Sequence, residues 1–218
     1  MTQLLLLGAL LGMRHALDPD HVAAVSTLIS RGRSLPRAAV AGAAWGAGHT
    51  LMLSTVGILT MALGIHLPQR ASEGFEFAVG VMLVGLGASA FLTRGSRGRW
   101  SLPQPDPGGH HSWRMGLRPL LVGMVHGLAG SAGLLVLVLT GVRDVSAGVL
   151  FLLIFGAGST LVMIVVGMVL ALPLALSAGR FPAFERGLAM AAGGVSVALG
   201  LAMMSRIVLA LTAGSSPL

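Results

Sequence analysis

The sequence predicts an all-α integral membrane protein with six transmembrane helices, arranged as two inverted three-helix repeats. Three observations predict it: the apolar composition, six apolar stretches of spanning length, and motifs that return in both halves of the chain. Of the 218 residues, 55% are hydrophobic and only 10% are charged. The mean hydropathy is +0.88, which is typical of a chain that buries its surface in lipid and not of a soluble domain.

Windows of about 20 apolar residues locate the six predicted spans. These are Leu4–Ile29, Leu35–Gly64, Phe75–Thr93, Leu117–Gly141, Ala147–Leu172 and Phe184–Leu211. Residues 1–93 are therefore predicted to form the first repeat and residues 117–218 the second, within one transmembrane domain. The Arg-, Pro- and Gly-rich stretch 94–116 between them is predicted to be a cytoplasmic loop. We expect the start of the chain to be retained as the first span, because it lacks the pattern of a cleaved signal peptide.

Three motifs of the first half recur in the second half, in the same order and at a nearly constant offset. The pairs are Gly12–Leu17 with Gly123–Leu128, Trp45–Thr50 with Phe155–Thr160, and Phe75-Glu76 with Phe184-Glu185. Each half holds an odd number of spans, so the second half must be inserted upside down relative to the first. Inverted repeats of this kind are typical of transporters that alternate access around a midplane site.

The distribution of arginine predicts the orientation in the membrane. The chain has 14 basic residues, all of them Arg, against 7 acidic ones. Ten arginines fall in or beside the loops after spans one, three and five, whereas the opposite side holds only Arg70 and Arg143. The positive-inside rule then places the Arg-rich loops in the cytoplasm and both termini outside, for a multi-pass protein of the inner (plasma) membrane. We attribute the excess of arginine to membrane topology, so no nucleic-acid partner is expected.

Ionisable residues interrupt the first predicted span. Arg14, His15, Asp18, Asp20 and His21 lie within eight consecutive positions of an otherwise apolar stretch. Each Asp or Arg at the centre of a membrane helix costs roughly 2.5–3.5 kcal/mol, so such a cluster requires compensation. Two imidazoles beside two carboxylates indicate a divalent metal ion, and the absence of Cys excludes thiolate sites. The ligand types suit Ni²⁺, Co²⁺, Zn²⁺ or Mn²⁺.

The helix geometry of this segment depends on Pro19. On an unbroken helix His15, Asp18 and His21 share one face, while Asp20 points away. Pro19 removes a backbone donor and clashes with the preceding turn, so it predicts a kink or a break that swings Asp20 into the site. Further polar groups lie at similar depth in other spans, which favours one shared site between the halves. They are His49, Thr50, His126, Ser159 and Thr160.

Simpler structural interpretations stay open for several of these residues. Arg14 and Asp18 lie four positions apart and can neutralise each other. His126 lacks the acidic neighbours of its repeat copy and can be a hydrogen-bonded structural histidine. Glu76, near the outer end of span three, either faces a vestibule or lies at the membrane interface. The pair His110-His111 in the loop is either incidental or involved in metal capture or release.

The segment from Arg14 to His21 resembles the motif of the nickel/cobalt transporter (NiCoT) family, in which a His is followed after four residues by Asp-His. Within that family the chain is similar to short, six-span, urease-accessory-type nickel permeases. The segments Trp45–Thr50 and His126–Ala132 resemble two further motifs of these proteins. The resemblance implies transport of Ni²⁺ or Co²⁺, with His15, Asp20 and His21 at the core of the site and His49 lining the path. Pro19 stands where many family members carry Ala.

The sequence thus predicts a secondary transporter that takes up Ni²⁺ or Co²⁺ and is not an enzyme; no nucleotide-binding motif is present. The predicted metal ligands are His15, Asp18, Asp20, His21 and His49. The predicted path residues are Arg14, Thr50, Glu76, His126, Ser159 and Thr160. The ion is cargo, so no cofactor is expected, and the expected partners are the ion, membrane lipid, and either a second copy or metal-accepting proteins. The alternatives are an exporter with the same site, an intramembrane metal-dependent enzyme, and a scaffold subunit.

Overall fold

The computed structural model describes residues 2–30, 34–64, 68–92, 112–129, 144–177 and 180–214. All regular secondary structure in these residues is α-helical. The helices are α1 (Thr2–His15), α2 (Pro19–Ile29), α3 (Leu35–Leu63), α4 (Gln69–Leu92), α5 (Ser112–Ala129), α6 (Val145–Ser177) and α7 (Pro182–Gly214).

Four of the described helices, α3, α4, α6 and α7, are long and apolar enough to cross a membrane. They coincide with the second, third, fifth and sixth predicted spans. Many of their large apolar side chains are exposed, among them Leu63, Leu176 and Leu209. In water such a surface would be unfavourable, whereas in lipid it is the expected outer face. The chain is therefore a helical membrane protein.

The first predicted span is divided into two helices. α1 ends at His15 and α2 begins at Pro19, with Asp18 as its N-cap residue. Proline is well suited to the first position of a helix, because the N–H it lacks would have had no partner there. At about 1.5 Å per residue α1 extends only about 21 Å, so neither helix crosses the roughly 30 Å hydrocarbon core alone. The predicted break at Pro19 is confirmed.

The other predicted boundaries agree in part with the structure. α3 ends where Gly64 adopts a left-handed conformation, with φ of 61°, which is the predicted end of span two. α5 begins at Ser112, five residues before the predicted start of span four at Leu117. The rest of that span, residues 130–141, and the pair His110-His111 lie outside the described residues.

Glycines bring the helices into backbone contact around α3 and α6, which pack along each other. A Cβ atom at Gly12 of α1 would overlap the carbonyl oxygen of Phe155 on α6. In the same way, a Cβ atom at Gly123 of α5 would overlap the carbonyl oxygen of Trp45 on α3. Close approach through small residues is how helices pack without a hydrophobic driving force between them. These contacts hold α1 against α6 and α5 against α3, on either side of the ionisable residues.

Candidate metal centre

The broken first span presents its ionisable residues at the break itself. His15 is the last residue of α1, Asp18 precedes α2, and Asp20 and His21 lie in the first turn of α2. Because the helix is interrupted between His15 and Pro19, Asp20 is not turned away as it would be on a continuous helix. The structure brings it into contact with two histidines. The N-terminus of α2 also favours the negative charge of Asp20.

Four imidazole rings meet at this break. The ring of His21 lies centrally, with its centroid 4.5 Å from that of His15, 5.3 Å from that of His49 and 4.3 Å from that of His126. The rings of His15 and His49 are 5.4 Å apart. His49 comes from α3 and His126 from α5, so three separate parts of the chain contribute. All four histidines are among the residues predicted to line one shared site.

Two carboxylates hold these rings by hydrogen bonds. Oδ2 of Asp18 lies 2.8 Å from Nδ1 of His15. Asp20 bridges two rings: its Oδ1 lies 3.1 Å from Nδ1 of His21, and its Oδ2 lies 2.9 Å from Nε2 of His126. His126 therefore has an acidic partner after all, supplied by the other half of the chain.

The cluster is buried except at one side. His21, His49 and His126 are at most 1% exposed, whereas the side chain of Asp18 is 49% exposed. Several ring nitrogens have no hydrogen-bond partner among the described residues. They are Nε2 of His15, Nε2 of His21, both ring nitrogens of His49 and Nδ1 of His126. A buried polar atom without a partner costs about 1–3 kcal/mol, so this arrangement is costly unless a ligand satisfies it.

Two overlapping groups in the described chain have the spacing of a metal site. The first is His15, His21 and His49, and the second is Asp20, His21 and His126. In each group, one ligand atom per residue lies within 4.8 Å of the others. Imidazole nitrogen and carboxylate oxygen suit late first-row divalent ions such as Ni²⁺, Co²⁺ and Zn²⁺. The donor atoms of the cluster therefore suit such an ion, and three of its histidines are shielded from solvent.

Over 185 residues the chain is 36% identical to the urease accessory protein UreH of Bacillus sp. (strain TB-90), with 83% of this chain and 81% of that protein covered. The chain belongs to the UreH family. No family model matches it, and no solved structure matches it.

This UreH-family chain is also similar to two longer plant proteins. It is 30% identical over 175 residues to the chloroplast protein FOR GROWTH AND FERTILITY 1 of Arabidopsis thaliana, and 30% identical over 169 residues to FOR GROWTH AND FERTILITY 2. Each match covers 72% of this chain but only 46% and 44% of the plant proteins. The chain thus spans less than half of their length.

Two aromatic residues of the centre were not predicted individually. The indole of Trp45 stacks on the ring of His49, with the ring centroids 5.2 Å apart and the ring planes 8° from parallel. Trp45 is fully buried. The ring centroids of Phe155 and His15 lie 5.4 Å apart, and those of Trp45 and His126 lie 5.5 Å apart. The internal repeat could have indicated both residues, since Trp45 and Phe155 occupy the same position of the recurring motif.

The predicted path residues of this UreH-family chain are divided in the structure. Thr50 and Thr160 meet across α3 and α6, with their hydroxyl oxygens 3.5 Å apart. Ser159 is completely buried, and its hydroxyl has no partner among the described residues. Glu76, by contrast, is exposed on α4 and belongs to neither metal-spaced group.

The interpretation that Arg14 and Asp18 neutralise each other is not supported by the structure. Asp18 pairs with His15, and within the described part of the chain no ion pair joins it to Arg14. Arg14 is exposed at the end of α1. The break explains the difference, because the four-residue spacing brings side chains together only on a continuous helix.

Proposed function

We propose that the chain is a secondary transporter for divalent transition-metal ions, which takes up Ni²⁺ or Co²⁺ through the histidine and aspartate cluster at the break in the first span. One observation carries the proposal: buried imidazole nitrogens without partners converge beside two carboxylates inside a membrane protein. Ionisable groups at membrane depth are rare and mark ion pathways and proton relays.

The matched helix contacts support an architecture of six spans in two inverted repeats. The Gly12–Phe155 contact has its counterpart in Gly123–Trp45. A second pair of equivalent positions makes the same kind of contact: Gly46 packs against Thr160, and Gly156 packs against Thr50. Reciprocal contacts of this kind are what a two-fold axis in the membrane plane would produce. A site at such an axis suits alternating access, in which the halves rock around the bound ion.

The family relationship favours nickel as the first ion to test. The relative's name, urease accessory protein, agrees with the resemblance of the motif at 14–21 to urease-accessory-type nickel permeases. The membrane potential can drive uptake, since each elementary charge moved inward gains about 2.3 kcal/mol per 100 mV. Arginine-rich loops on the cytoplasmic side and both termini outside complete the proposal. Surrounding lipid, a second copy of the chain and cytoplasmic metal-accepting proteins are the partners we propose.

Cellular nickel content tests the proposed function. The chain is expressed in a nickel-uptake-deficient bacterium alongside His21→Ala and Thr55→Ala, at matched membrane levels. Thr55 is an exposed residue of α3 outside the cluster, so its variant is the matched control. We expect wild type and Thr55→Ala to raise cellular Ni²⁺ and His21→Ala to leave it at the empty-vector value.

Other outcomes separate the rival functions. A fall of Ni²⁺ below the empty-vector value, abolished by His21→Ala, would make the chain an exporter with the same site. Unchanged Ni²⁺, followed by unchanged Co²⁺, Zn²⁺ and Mn²⁺ in the same assay, would contradict transport and leave the intramembrane metal-dependent enzyme and the scaffold subunit.

A further inference from the structure

We infer that three imidazoles, those of His15, His21 and His49, bind the ion, and that Asp18 and Asp20 are positioning residues that hold two of these rings and do not ligate it. The inference rests on the proposed function, because it assigns roles within the same site. It differs from the sequence-based expectation, which counts both carboxylates among the ligands.

The hydrogen bonds fix which nitrogen of each ring is free. An ionised carboxylate only accepts hydrogen bonds, so the ring nitrogen facing it must carry the proton. Asp18 faces Nδ1 of His15, and Asp20 faces Nδ1 of His21. In a neutral ring Nε2 is then the atom with the lone pair. Both Nε2 atoms are buried and have no partner in the described part of the chain.

His49 completes the set. Neither of its ring nitrogens has a partner among the described residues, and its ring lies beside those of His15 and His21. One nitrogen from each of the three rings lies within 4.8 Å of the others. Metal–nitrogen bonds of about 2.0–2.1 Å allow ligand nitrogens up to about 4 Å apart, so the rings need to close by less than about 1 Å. Trp45, stacked on His49, keeps that ring in its plane.

The two carboxylates are already used in hydrogen bonds. One carboxylate oxygen of Asp20 accepts a hydrogen bond from His21, and the other accepts one from His126. Asp18 is the N-cap of α2, yet its side chain makes no capping bond and turns to His15 instead. In metal sites, a carboxylate that accepts the second N–H of a ligating histidine fixes the ring and raises its basicity. Two such carboxylates also balance the charge of a divalent ion without occupying its coordination positions.

The arrangement couples the two halves of the chain. His126 lies on α5, in the second half, and anchors the carboxylate that orients His21 on α2. A movement of α5 away from α2 would therefore release Asp20 and loosen a ligand without touching the ion. This gives the second half control over the affinity of a site whose ligands all lie in the first half.

X-ray absorption at the nickel edge tests the assignment on the purified full-length chain in detergent, loaded with Ni²⁺, together with the Kd for Ni²⁺. We expect three imidazoles in wild type and the same three in Asp18→Asn and Asp20→Asn, with a Kd weakened about 10–100-fold. Asp20→Ala should weaken the Kd more than Asp20→Asn, since Asn keeps an oxygen that accepts the N–H of His21. His21→Ala should lose one imidazole, and Thr55→Ala should match wild type.

Two results would overturn the inference. One is a carboxylate in the wild-type nickel shell that vanishes in Asp20→Asn, and the other is fewer than three imidazoles in wild type. Either result would leave the proposed transport function standing, because the ion would still be bound. A wild-type chain that is folded by circular dichroism and binds neither Ni²⁺ nor Co²⁺ would instead contradict the proposed function itself.

Discussion

The two halves of the chain share their packing and differ in their chemistry. Gly12 lies against Phe155 as Gly123 lies against Trp45, and His15 contacts Phe155 at 5.4 Å as His126 contacts Trp45 at 5.5 Å. The polar groups are not duplicated in this way. Ser159 stands where the first half has His49, and no acidic residue of the second half follows His126 as Asp20 follows His15.

This difference shows that the helix packing and the polar cluster can be separated. The small residues that let helices approach are needed in both halves, since both halves must pack. Under the proposed function one set of ligands suffices for one ion. The second half has a single histidine, and that residue holds Asp20 in place. Substitutions at motif-related positions should therefore have equal effects on folding and unequal effects on transport.

The largest expected effect concerns the pair His49 and Ser159. His49→Ser makes the first half resemble the second and should reduce nickel uptake to the empty-vector level, because one ligand is lost. Ser159→Ala should reduce uptake far less, since Ser159 belongs to neither metal-spaced group and its buried hydroxyl has no partner among the described residues. Cellular Ni²⁺ at matched expression measures both. Equal losses of nickel uptake in the two variants would show that the two positions do not differ in function.

Packing variants should show the opposite pattern. Gly12→Ala and Gly123→Ala each force a Cβ atom into a neighbouring carbonyl oxygen, and overpacking of this kind costs about 1–3 kcal/mol. We expect both to lower the thermal unfolding temperature by similar amounts. Gly85→Ala is the control, because a Cβ atom there meets nothing within 4 Å. A loss confined to one half would show that the framework is not shared.

Trp45→Phe converts the first aromatic position into the residue found at Phe155. The stacked ring on His49 becomes smaller, and aromatic pairs contribute about 0.5–1.5 kcal/mol beyond area burial. We expect the Kd for Ni²⁺ to weaken by about two- to twelvefold while three imidazoles remain bound. Isothermal titration measures the Kd. An unchanged Kd would show that Trp45 does not position His49.

The smallest expected effect is at the starts of α3 and α6. Asp144 accepts hydrogen bonds from the Ser146 hydroxyl and the Ala147 N–H, whereas Ser34, at the corresponding place before α3, makes no side-chain cap. These bonds favour the ionised carboxyl and lower the pKa of Asp144. The stabilisation is therefore complete above the ordinary Asp pKa and is lost as the pH falls through the lowered one.

Asp144→Ala should then lower thermal stability slightly at neutral pH, while Ser34→Ala should not change it. Unfolding curves at several pH values measure the difference. A destabilisation by Asp144→Ala that persists in strong acid would exclude the cap as its cause.

The sequence was sufficient for the features that depend on local pattern. Apolar length predicted the long helices α3, α4, α6 and α7, and the chemistry of Pro19 predicted the break in the first span. The residues clustered at this break were predicted as a metal site, and the structure brings His15, His21 and His49 together. Whether they bind an ion stays a prediction.

What the sequence could not provide are the contacts between helices distant in the chain. The partner of His126 is Asp20, 106 positions earlier, so no local pattern could reveal it. The pairing of Asp18 with His15 instead of Arg14 depends on the interruption of the helix between His15 and Pro19. Glu76 shows the opposite case, since its place in a recurring motif did not bring it to the site.

Nickel entry into sealed vesicles tests the central claim most directly. Purified chain is reconstituted into proteoliposomes with a metal-sensing dye inside and an inside-negative potential, and Ni²⁺ is added outside. The account predicts rapid dye quenching with wild type and Thr55→Ala, and quenching at the rate of protein-free vesicles with His21→Ala. Equal rates for wild type and His21→Ala would contradict it, because the buried cluster would then have no part in passage of the ion.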